Sequence, residues 1–363
     1  MSQQLSFEVL ELYLAVEAQI LANISASLVA NEGVFTEDDI LSWQVKQLAM
    51  IGELNKQNLQ AIADMSGVAL EKVVELLESA GYAAATVQST ALAGAVASGL
   101  VLAPSTAQAS IALSNILDAF VAQAQDTLNI INTTMLTQSE QIYRDIVTKT
   151  TAKVLAGVTT PQQARVEVAR QWAEHGVPAL VDKAGKKWST EAYVNTVVRS
   201  MSNKVATEMQ LKRIEEHGID LIEVSSHLDA RPKCAADQGR IYSLSGKSKK
   251  YPAWSSTSFG EPDGLLGINC RHVIYPFIYG RSQRTYFPYD AKVNEQAYEA
   301  SQVQRKLERD IRKAKREQNT VMALGNKEQI AKAKKKVKQR QENMREFIAK
   351  SGRERRRDRE QIV

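Results

Sequence analysis

The stretch "LSFEVLELYLAVEAQILANI", residues 5–24, carries a single apolar stripe at helical spacing. Apolar side chains recur every three or four positions, at Leu5, Val9, Leu12, Val16, Ile20 and Ile24. This spacing puts them on one face of an α-helix, so it predicts a helix over residues 5–30 with one buried face.

Similar stripes and start signals follow. Thr36 is a candidate N-cap for the next helix, with Asp39 in the capping-box position. Gly67 and Gly81 are expected to mark helix boundaries, and Pro104 to interrupt the helical run that reaches about residue 155.

A clearer start signal lies in "VTTPQQARVEVARQW", where Thr160 is the predicted N-cap, Pro161 the first helical residue and Gln163 the capping-box partner. A long helix from "WSTEAYV" is predicted to end at His217 and Gly218.

Composition agrees with a helical protein. Of the 363 residues, 44% are hydrophobic but only 6% are aromatic. The N-terminus lacks the basic region of a signal peptide. The weakly apolar run at residues 91–104 is shorter than the about 20 residues that span a bilayer, and predicts a buried Ala-rich helix.

The pattern changes after Gly218. The runs "IDLIEVSSH", "GRIYSLSG" and "RHVIYPFIYG" are β-branched or aromatic and are bounded by Gly, Pro and Ser. They predict a small module with short strands over residues 226–290, docked on the helix that ends at His217.

Two narrow apolar stripes then flank Gly325-Asn326, within a highly charged sequence. They predict an antiparallel helical hairpin from Leu307 to Phe347, with its turn at Gly325-Asn326.

The predicted fold class is therefore mainly α, with a long helical body, a C-terminal helical hairpin and one small β-containing (α+β) module. Four regions are expected along the chain. They are an acidic helical domain (1–155), a helical connector (156–225), the β-containing Cys/His module (226–290) and a basic hairpin with its tail (291–363).

Charge is distributed unevenly. Residues 1–150 hold 5 Lys and Arg against 16 Asp and Glu, whereas residues 301–363 hold 21 against 9. The basic end could neutralise nucleic-acid phosphates, or it could be a solvated helical surface with internal ion pairs. The candidate nucleic-acid-binding residues are Lys332, Lys334, Lys335, Lys336, Lys338, Arg340, Arg353, Arg355, Arg356 and Arg357.

Both cysteines and two of the four histidines lie in the module: His227, Cys234, Cys270 and His272. Two thiolates and two imidazoles could bind zinc, although their spacing is not that of a standard zinc motif. A Cys234–Cys270 disulfide and plain packing of buried thiols are the alternatives. In each case the two cysteines are expected to lie close together, because a link between the ends of a small, loop-rich module stabilises it.

A catalytic arrangement of Cys234, His272 and Asp229 can also be drawn, but no oxyanion hole or substrate pocket is evident around it. Asp229, Arg231 and Arg271 are expected to connect loops as ion pairs. The chain is therefore not expected to be an enzyme.

Several segments resemble the phage minor capsid protein 2 family, which is itself similar to the Mu protein F-like head morphogenesis proteins. They are "EVSSHLDARPKCAADQGRIYSLSG", "GINCRHVIYPFIYG", "WSTEAYVNTVVRSMSNKVA", "QRKLERDIRKAKRE" and the terminal "RRRDREQIV". The residues that match the family's motif are His227, Asp229, Arg231, Cys234, Gly239, Asn269, Cys270, Arg271 and His272.

The resemblance implies a structural protein of a tailed bacteriophage. It would lie inside the capsid near the portal, in several copies, after assembly in the host cytoplasm. The implied partners are the portal protein, the major capsid or scaffolding protein and packaged double-stranded DNA, and the implied role is in head assembly and genome packaging or delivery. The alternatives are a phage-delivered effector enzyme centred on the Cys/His module and a free nucleic-acid-binding helical protein.

Overall fold

The computed structural model describes residues 2–157, 159–324 and 327–362, most of which are helical. The α-helices are α1 (Ser2–Val29), α2 (Ile40–Ala49), α3 (Ile51–Ala97), α4 (Ile111–Leu155), α5 (Pro161–His175), α6 (Thr190–Glu216), α7 (Pro232–Asp237), α8 (Ala291–Ala323) and α9 (Lys327–Ser351). The strands are β1 (Pro178–Val181), β2 (Lys187–Ser189), β3 (Leu221–Val224), β4 (Ile241–Ser243) and β5 (Ile274–Phe277). The predicted mainly α fold with a small β part is confirmed.

The residues form two compact units, each assembled from three separated segments. The first unit comprises residues 1–9, 70–127 and 195–302, and the second comprises residues 10–69, 128–194 and 303–363. The four-region division expected from the sequence follows chain order and stays a prediction.

The first unit contains the predicted strands. β3 pairs antiparallel with both β4 and β5, in the order β4-β3-β5. One face of this sheet packs on α6, and Gln88 of α3 donates to the Ile274 carbonyl at 3.2 Å. The shared apolar cluster includes Leu92, Ile214, Ile222, Val224, Tyr242, Trp254, Leu265 and Ile274. The sheet is thus docked on α6, as predicted, but its central strand β3 precedes residue 226, the predicted start of the module.

The second unit is built around large buried side chains of α1, α2 and α4. Trp43 packs on Phe35, with their ring centroids 4.6 Å apart. The guanidinium of the buried Arg165 lies 4.3 Å from the Phe35 ring centroid, and its Nη1 donates to the Leu28 carbonyl at 2.9 Å. A buried cation is costly unless it is paired, and Glu32 accepts from the same Nη1 at 2.6 Å.

Polar side chains also connect the helices of the second unit. Asn58 of α3 accepts from Asn23 of α1 at 3.0 Å and donates to Ser139 of α4 at 3.1 Å. Both Asn58 and Ser139 are fully buried. Such satisfied pairs favour one relative register of the helices over others, because a shifted register would leave them buried without partners.

The start signal at Thr160 is confirmed, since its side chain accepts from the Gln163 amide and Pro161 is the first helical residue. The Gln163 side chain bonds to Thr159 instead of completing a capping box. The helix start predicted at Thr36 lies a few residues further along the chain. Thr36 accepts from the Asp39 amide in a turn, and α2 begins at Ile40.

The boundaries predicted near Gly67 and Gly81 are wrong, because α3 runs unbroken from Ile51 to Ala97. The β1–β2 hairpin was not predicted from the sequence. Its strands are only four and three residues long, and they lack the alternation of apolar and polar residues that identifies a strand.

The helices α8 and α9 form the predicted pair in the second unit. Lys336 contacts Glu317 at 2.6 Å and Arg340 contacts Asp310 at 3.9 Å. The residue numbers of the contacts increase along α9 and decrease along α8, so the two helices are antiparallel. Ile311 and Val321 of α8 and Met344 of α9 are fully buried. The predicted turn residues, Gly325 and Asn326, lie outside the described residues.

Among the described helices, only Gln4–Val29 of α1 is long and apolar enough to cross a membrane. In its most apolar window, 44% of the residues are buried within the protein. A core helix meets the same length and composition criterion, so this finding is weak evidence of membrane insertion. The run at residues 91–104, which the sequence singles out, does not meet it.

Candidate functional site

The two cysteines and His272 come together in the first unit. Cys234 lies on α7, which begins at Pro232, and Cys270 and His272 lie in the extended segment before β5. The Cys234 and Cys270 Sγ atoms are 3.8 Å apart, and Cys270 Sγ is 3.2 Å from His272 Nδ1. All three candidate ligand atoms lie within 4.8 Å of one another. The predicted proximity of the cysteines is confirmed, and both are free thiols.

His227 lies beside this group but is not part of the three-atom set. Its ring stacks on that of His272, with centroids 4.3 Å apart. Its Nδ1 is 3.0 Å from the Leu228 carbonyl, and its Nε2 is buried without a hydrogen-bond partner among the described residues.

Gln238 holds the two histidine segments together. Its Oε1 accepts from the backbone amide of His227 at 3.0 Å and lies 3.1 Å from His272 Nε2. The side chain is almost fully buried. A backbone N–H can only donate, so the Gln238 atom that it meets must be the amide oxygen, and the hydrogen on the imidazole must be on Nε2.

The pKa values of the two thiols are shifted in opposite directions. The hydrogen bond from Cys234 lowers the pKa of Cys270. The same thiol–thiol hydrogen bond, together with burial, raises the pKa of Cys234. Cys270 is therefore the sulfur that carries negative charge more readily, and a thiolate can either bind a metal or act as a nucleophile.

The remaining motif residues shape the loops around the thiols. Asp229 pairs with Arg271, as predicted, and lies 3.5 Å from His227 Nδ1. Arg231 is directed toward the site instead. Its Nη2 donates to the Gly264 carbonyl at 2.9 Å, and its Nε lies 3.4 Å from Cys234 Sγ.

Backbone conformation explains two motif positions. Gly239 has φ 66°, and a β-carbon there would come within 2.4 Å of the Phe287 carbonyl carbon. Asn269 has φ 59°, in the left-handed region that Asn tolerates better than most residues. Its turn directs the chain into Cys270.

His272 and Asp229, two members of the catalytic arrangement drawn from the sequence, have other partners. His272 contacts Cys270 and Gln238, whereas Asp229 contacts His227 and Arg271. Cys234 and His272 are 1% and 5% exposed, so both groups of the drawn Cys–His pair are buried in the described conformation.

Three amide side chains that hold the site were not predicted. They are Gln238, Asn203, whose Nδ2 donates to the Cys270 carbonyl at 2.7 Å, and Asn294. Asn294 bonds to both the amide and the carbonyl of Ala230, at 3.0 and 2.7 Å. A polar residue in a helix or a loop has no sequence signal that distinguishes such a role from simple exposure.

The candidate nucleic-acid-binding residues in the second unit divide into two groups. Several already have partners: Lys332 pairs with Glu328, Lys336 with Glu317 and Glu174, Arg340 with Asp310 and Arg355 with Glu360, while Arg353 donates to Gln304. The others are exposed and form no ion pair with any residue that the structure describes. We call them the exposed basic set: Lys334, Lys335, Lys338, Arg356 and Arg357.

A separate cavity of about 230 Å³ lies in the second unit. Its lining includes Glu17 of α1 and Arg316 of α8. Glu17 accepts from the Val177 amide at 2.8 Å, and its burial raises its pKa to about 7 despite the nearby Arg316 guanidinium. Two further lining residues, Arg312 and Glu191, form a two-point ion pair.

Comparison with known proteins identifies relatives along most of the chain. The family described as phage minor capsid protein 2 matches residues 2–349. A structural protein of Lactococcus phage LL-H is 27% identical over 324 residues, which cover 86% of each chain. A structural protein of Lactococcus phage mv4 is 32% identical over 102 residues, which cover 28% of this chain and 83% of the relative. No solved structure gives a significant match.

Proposed function

Because this chain belongs to the phage minor capsid protein 2 family and is a structural protein of a bacteriophage virion, we propose that it lies inside the capsid at the portal vertex. There it supports head assembly and genome packaging or delivery, and its protein partners are the portal protein and the major capsid or scaffolding protein. It is present in several copies per virion and is assembled into heads in the host cytoplasm. We propose no enzymatic activity.

The observation that carries this proposal is the exposed basic set. These five cations lie on α9 and the following tail, and no acidic side chain of the described residues forms an ion pair with them. Residues 1–150, by contrast, carry 16 acidic and only 5 basic side chains. A protein inside a packed head contacts both DNA phosphates and other proteins. The uneven charge distribution supplies a cationic surface that can bind the DNA phosphates.

The effector-enzyme alternative receives less support from the structure. A Cys–His catalytic pair needs a sulfur that the substrate can reach, and both Cys234 and Cys270 are almost fully buried. The neighbours of Cys270 are the Cys234 thiol and the His272 imidazole, and the other ring nitrogen of His272 meets the Gln238 amide oxygen.

The proposal is tested on purified virions and DNA-free proheads. Quantitative mass spectrometry is expected to find the chain in both particles at an abundance comparable to that of the portal protein. Cross-linking within proheads is expected to join it to the portal. Absence from both particles, or cross-links only to the outer capsid surface, would contradict the proposal.

Deletion of the gene then separates packaging from delivery. Heads that remain empty indicate a packaging role, and full heads that fail to infect indicate a delivery role. A deletion phage with normal heads and normal infectivity would contradict both roles.

A further inference from the structure

We propose that Cys234, Cys270 and His272 bind one Zn²⁺ ion, through the two Sγ atoms and His272 Nδ1. Zinc forms bonds of about 2.3 Å to sulfur and about 2.0 Å to imidazole nitrogen in tetrahedral sites. Two sulfurs on one such ion therefore lie about 3.8 Å apart, and a sulfur and a nitrogen about 3.5 Å apart. The observed separations are 3.8 Å for Cys234 Sγ to Cys270 Sγ and 3.2 Å for Cys270 Sγ to His272 Nδ1.

The hydrogen bonds of Gln238 give His272 the tautomer that a metal requires. Its amide oxygen receives the His227 N–H, so the same oxygen must accept a proton from His272 Nε2. Neutral His272 then has a free lone pair on Nδ1, the atom that faces the Cys270 sulfur. Metal-binding histidines commonly donate their other N–H to such an oxygen, which fixes the ring and makes it a better ligand.

The surrounding backbone holds the ligands in place before any ion binds. Asn203 fixes the Cys270 carbonyl from α6, and Asn294 of α8 bonds both polar groups of Ala230, four residues before Cys234. A site assembled from such fixed segments loses less conformational freedom when it closes around an ion.

We assign the fourth coordination position to His227. Its Nδ1 meets the Leu228 carbonyl, which can only accept, so the lone pair of the neutral ring lies on Nε2, and this atom is buried without a hydrogen-bond partner among the described residues. A buried polar atom without a partner is costly, and a metal bond would satisfy it. The stacked position of the ring on His272 places it next to the ligand group, and a side-chain rotation would complete the set.

The type of donors selects the metal. Thiolate and imidazole ligands together favour Zn²⁺ over Mg²⁺ or Ca²⁺, which prefer oxygen. Zinc also suits a thiol pair in a reducing cytosol, where disulfides do not persist. The ion would join residues 234 and 270 across a loop-rich segment whose only regular elements are one strand and short helical turns. This inference does not depend on the position of the protein in the virion.

The test uses the full chain, produced with added zinc and purified with a non-thiol reductant. Elemental analysis is expected to find close to one zinc per chain, and Co²⁺ in its place is expected to show thiolate-to-cobalt charge-transfer absorption. Cys234→Ser and Cys270→Ser are expected to lose the metal. His175→Ala, which removes an exposed histidine outside the cluster, is expected to keep it.

Variants of the neighbours test the assignment more finely. Gln238→Leu is expected to weaken zinc affinity by about 10- to 100-fold, with Gln238→Glu retaining most of it, because the glutamate keeps the acceptor oxygen. His227→Ala is expected to weaken affinity by at least about tenfold. Unchanged affinity in His227→Ala would remove His227 from the ligand set.

If the cysteine variants fail to fold, chelator-stripped wild-type protein provides the decisive measurement. Its titration with Zn²⁺ against a colorimetric chelator is expected to show one tight site. No stoichiometric binding by reduced wild-type protein would overturn the proposal in favour of plain thiol packing. A chain from virions that is two hydrogens lighter before reduction would overturn it in favour of a disulfide.

Discussion

Gly81, inside helix α3, lies directly against the side chain of Met209 on α6. A β-carbon at Gly81 would come within 2.3 Å of Met209 Sδ, and Met209 is fully buried. The two helices of the first unit therefore approach closely at this point because residue 81 has no side chain. A residue that resembles a helix terminator in the sequence is in fact a packing residue.

Gly81→Ala is expected to destabilise the protein by about 1 kcal/mol, because the overpacking cost of about 1–3 kcal/mol exceeds the helix-propensity gain of about 1 kcal/mol. Gly67→Ala is the matched control in the same helix, since a β-carbon there has nothing within 4 Å. It is expected to stabilise by up to about 1 kcal/mol. Urea unfolding measures both, and equal effects of the two substitutions would contradict the packing role of Gly81.

Asn294→Ala is expected to destabilise the protein by about 3 kcal/mol. The substitution leaves the buried amide and carbonyl of Ala230 without their side-chain partners, and each lost partner costs about 1–3 kcal/mol. Glu295→Ala, at the exposed neighbouring position, is expected to change stability by less than about 0.5 kcal/mol. Thermal unfolding of both variants is the measurement, and a loss below about 1 kcal/mol for Asn294→Ala would show that water replaces the side chain.

The buried Glu17 is expected to make stability fall as pH rises. Its pKa is raised from 4.5 to about 7 in the folded protein, so between these values the folded state holds a proton that the unfolded state has lost. This contribution is fully present below pH 4.5 and is lost as pH rises through about 7. It amounts to about 3 kcal/mol over that window.

Glu17→Gln isolates this contribution. The amide keeps an acceptor oxygen for the Val177 N–H but cannot lose a proton. The variant is expected to gain stability relative to the wild type between pH 5 and pH 8, and denaturant titrations across this range check it. Parallel pH profiles for the two proteins would show that Glu17 stays charged.

Removal of three members of the exposed basic set is expected to weaken binding to double-stranded DNA. The triple variant Lys334→Gln, Lys335→Gln and Lys338→Gln should reduce the slope of log K against log [salt] by about 3, since each phosphate contact contributes about 0.9. Fluorescence anisotropy at several salt concentrations measures this slope.

The control for DNA binding is a triple variant with the same loss of charge. Lys72→Gln, Lys153→Gln and Lys212→Gln remove lysines that already pair with Glu75, Glu167 and Glu215. This control is expected to change the slope far less. An equal effect of the two triple variants would mean that net charge, and not the exposed basic set, determines binding.

Elements whose signals are local could be predicted from the amino-acid sequence. The stripe from Leu5 to Ile24, the cap at Thr160 and the β-branched runs each specify a helix face, a helix start or a strand within a few residues, and the structure contains all of them. The Cys/His motif likewise indicated which side chains meet, because the two segments flank strands of one small sheet.

Properties that depend on residues far apart in the chain arise only in the folded protein. Met209 lies 128 positions after Gly81, and its side chain occupies the space that a side chain at residue 81 would need. Lys336 forms an ion pair with Glu317, whereas its neighbour Lys335 remains exposed. Gln238 became a site residue because folding brought its amide oxygen to His272. Each of these outcomes arises from contacts within about 4 Å between segments far apart in the chain, and no periodicity or spacing in the sequence encodes such contacts.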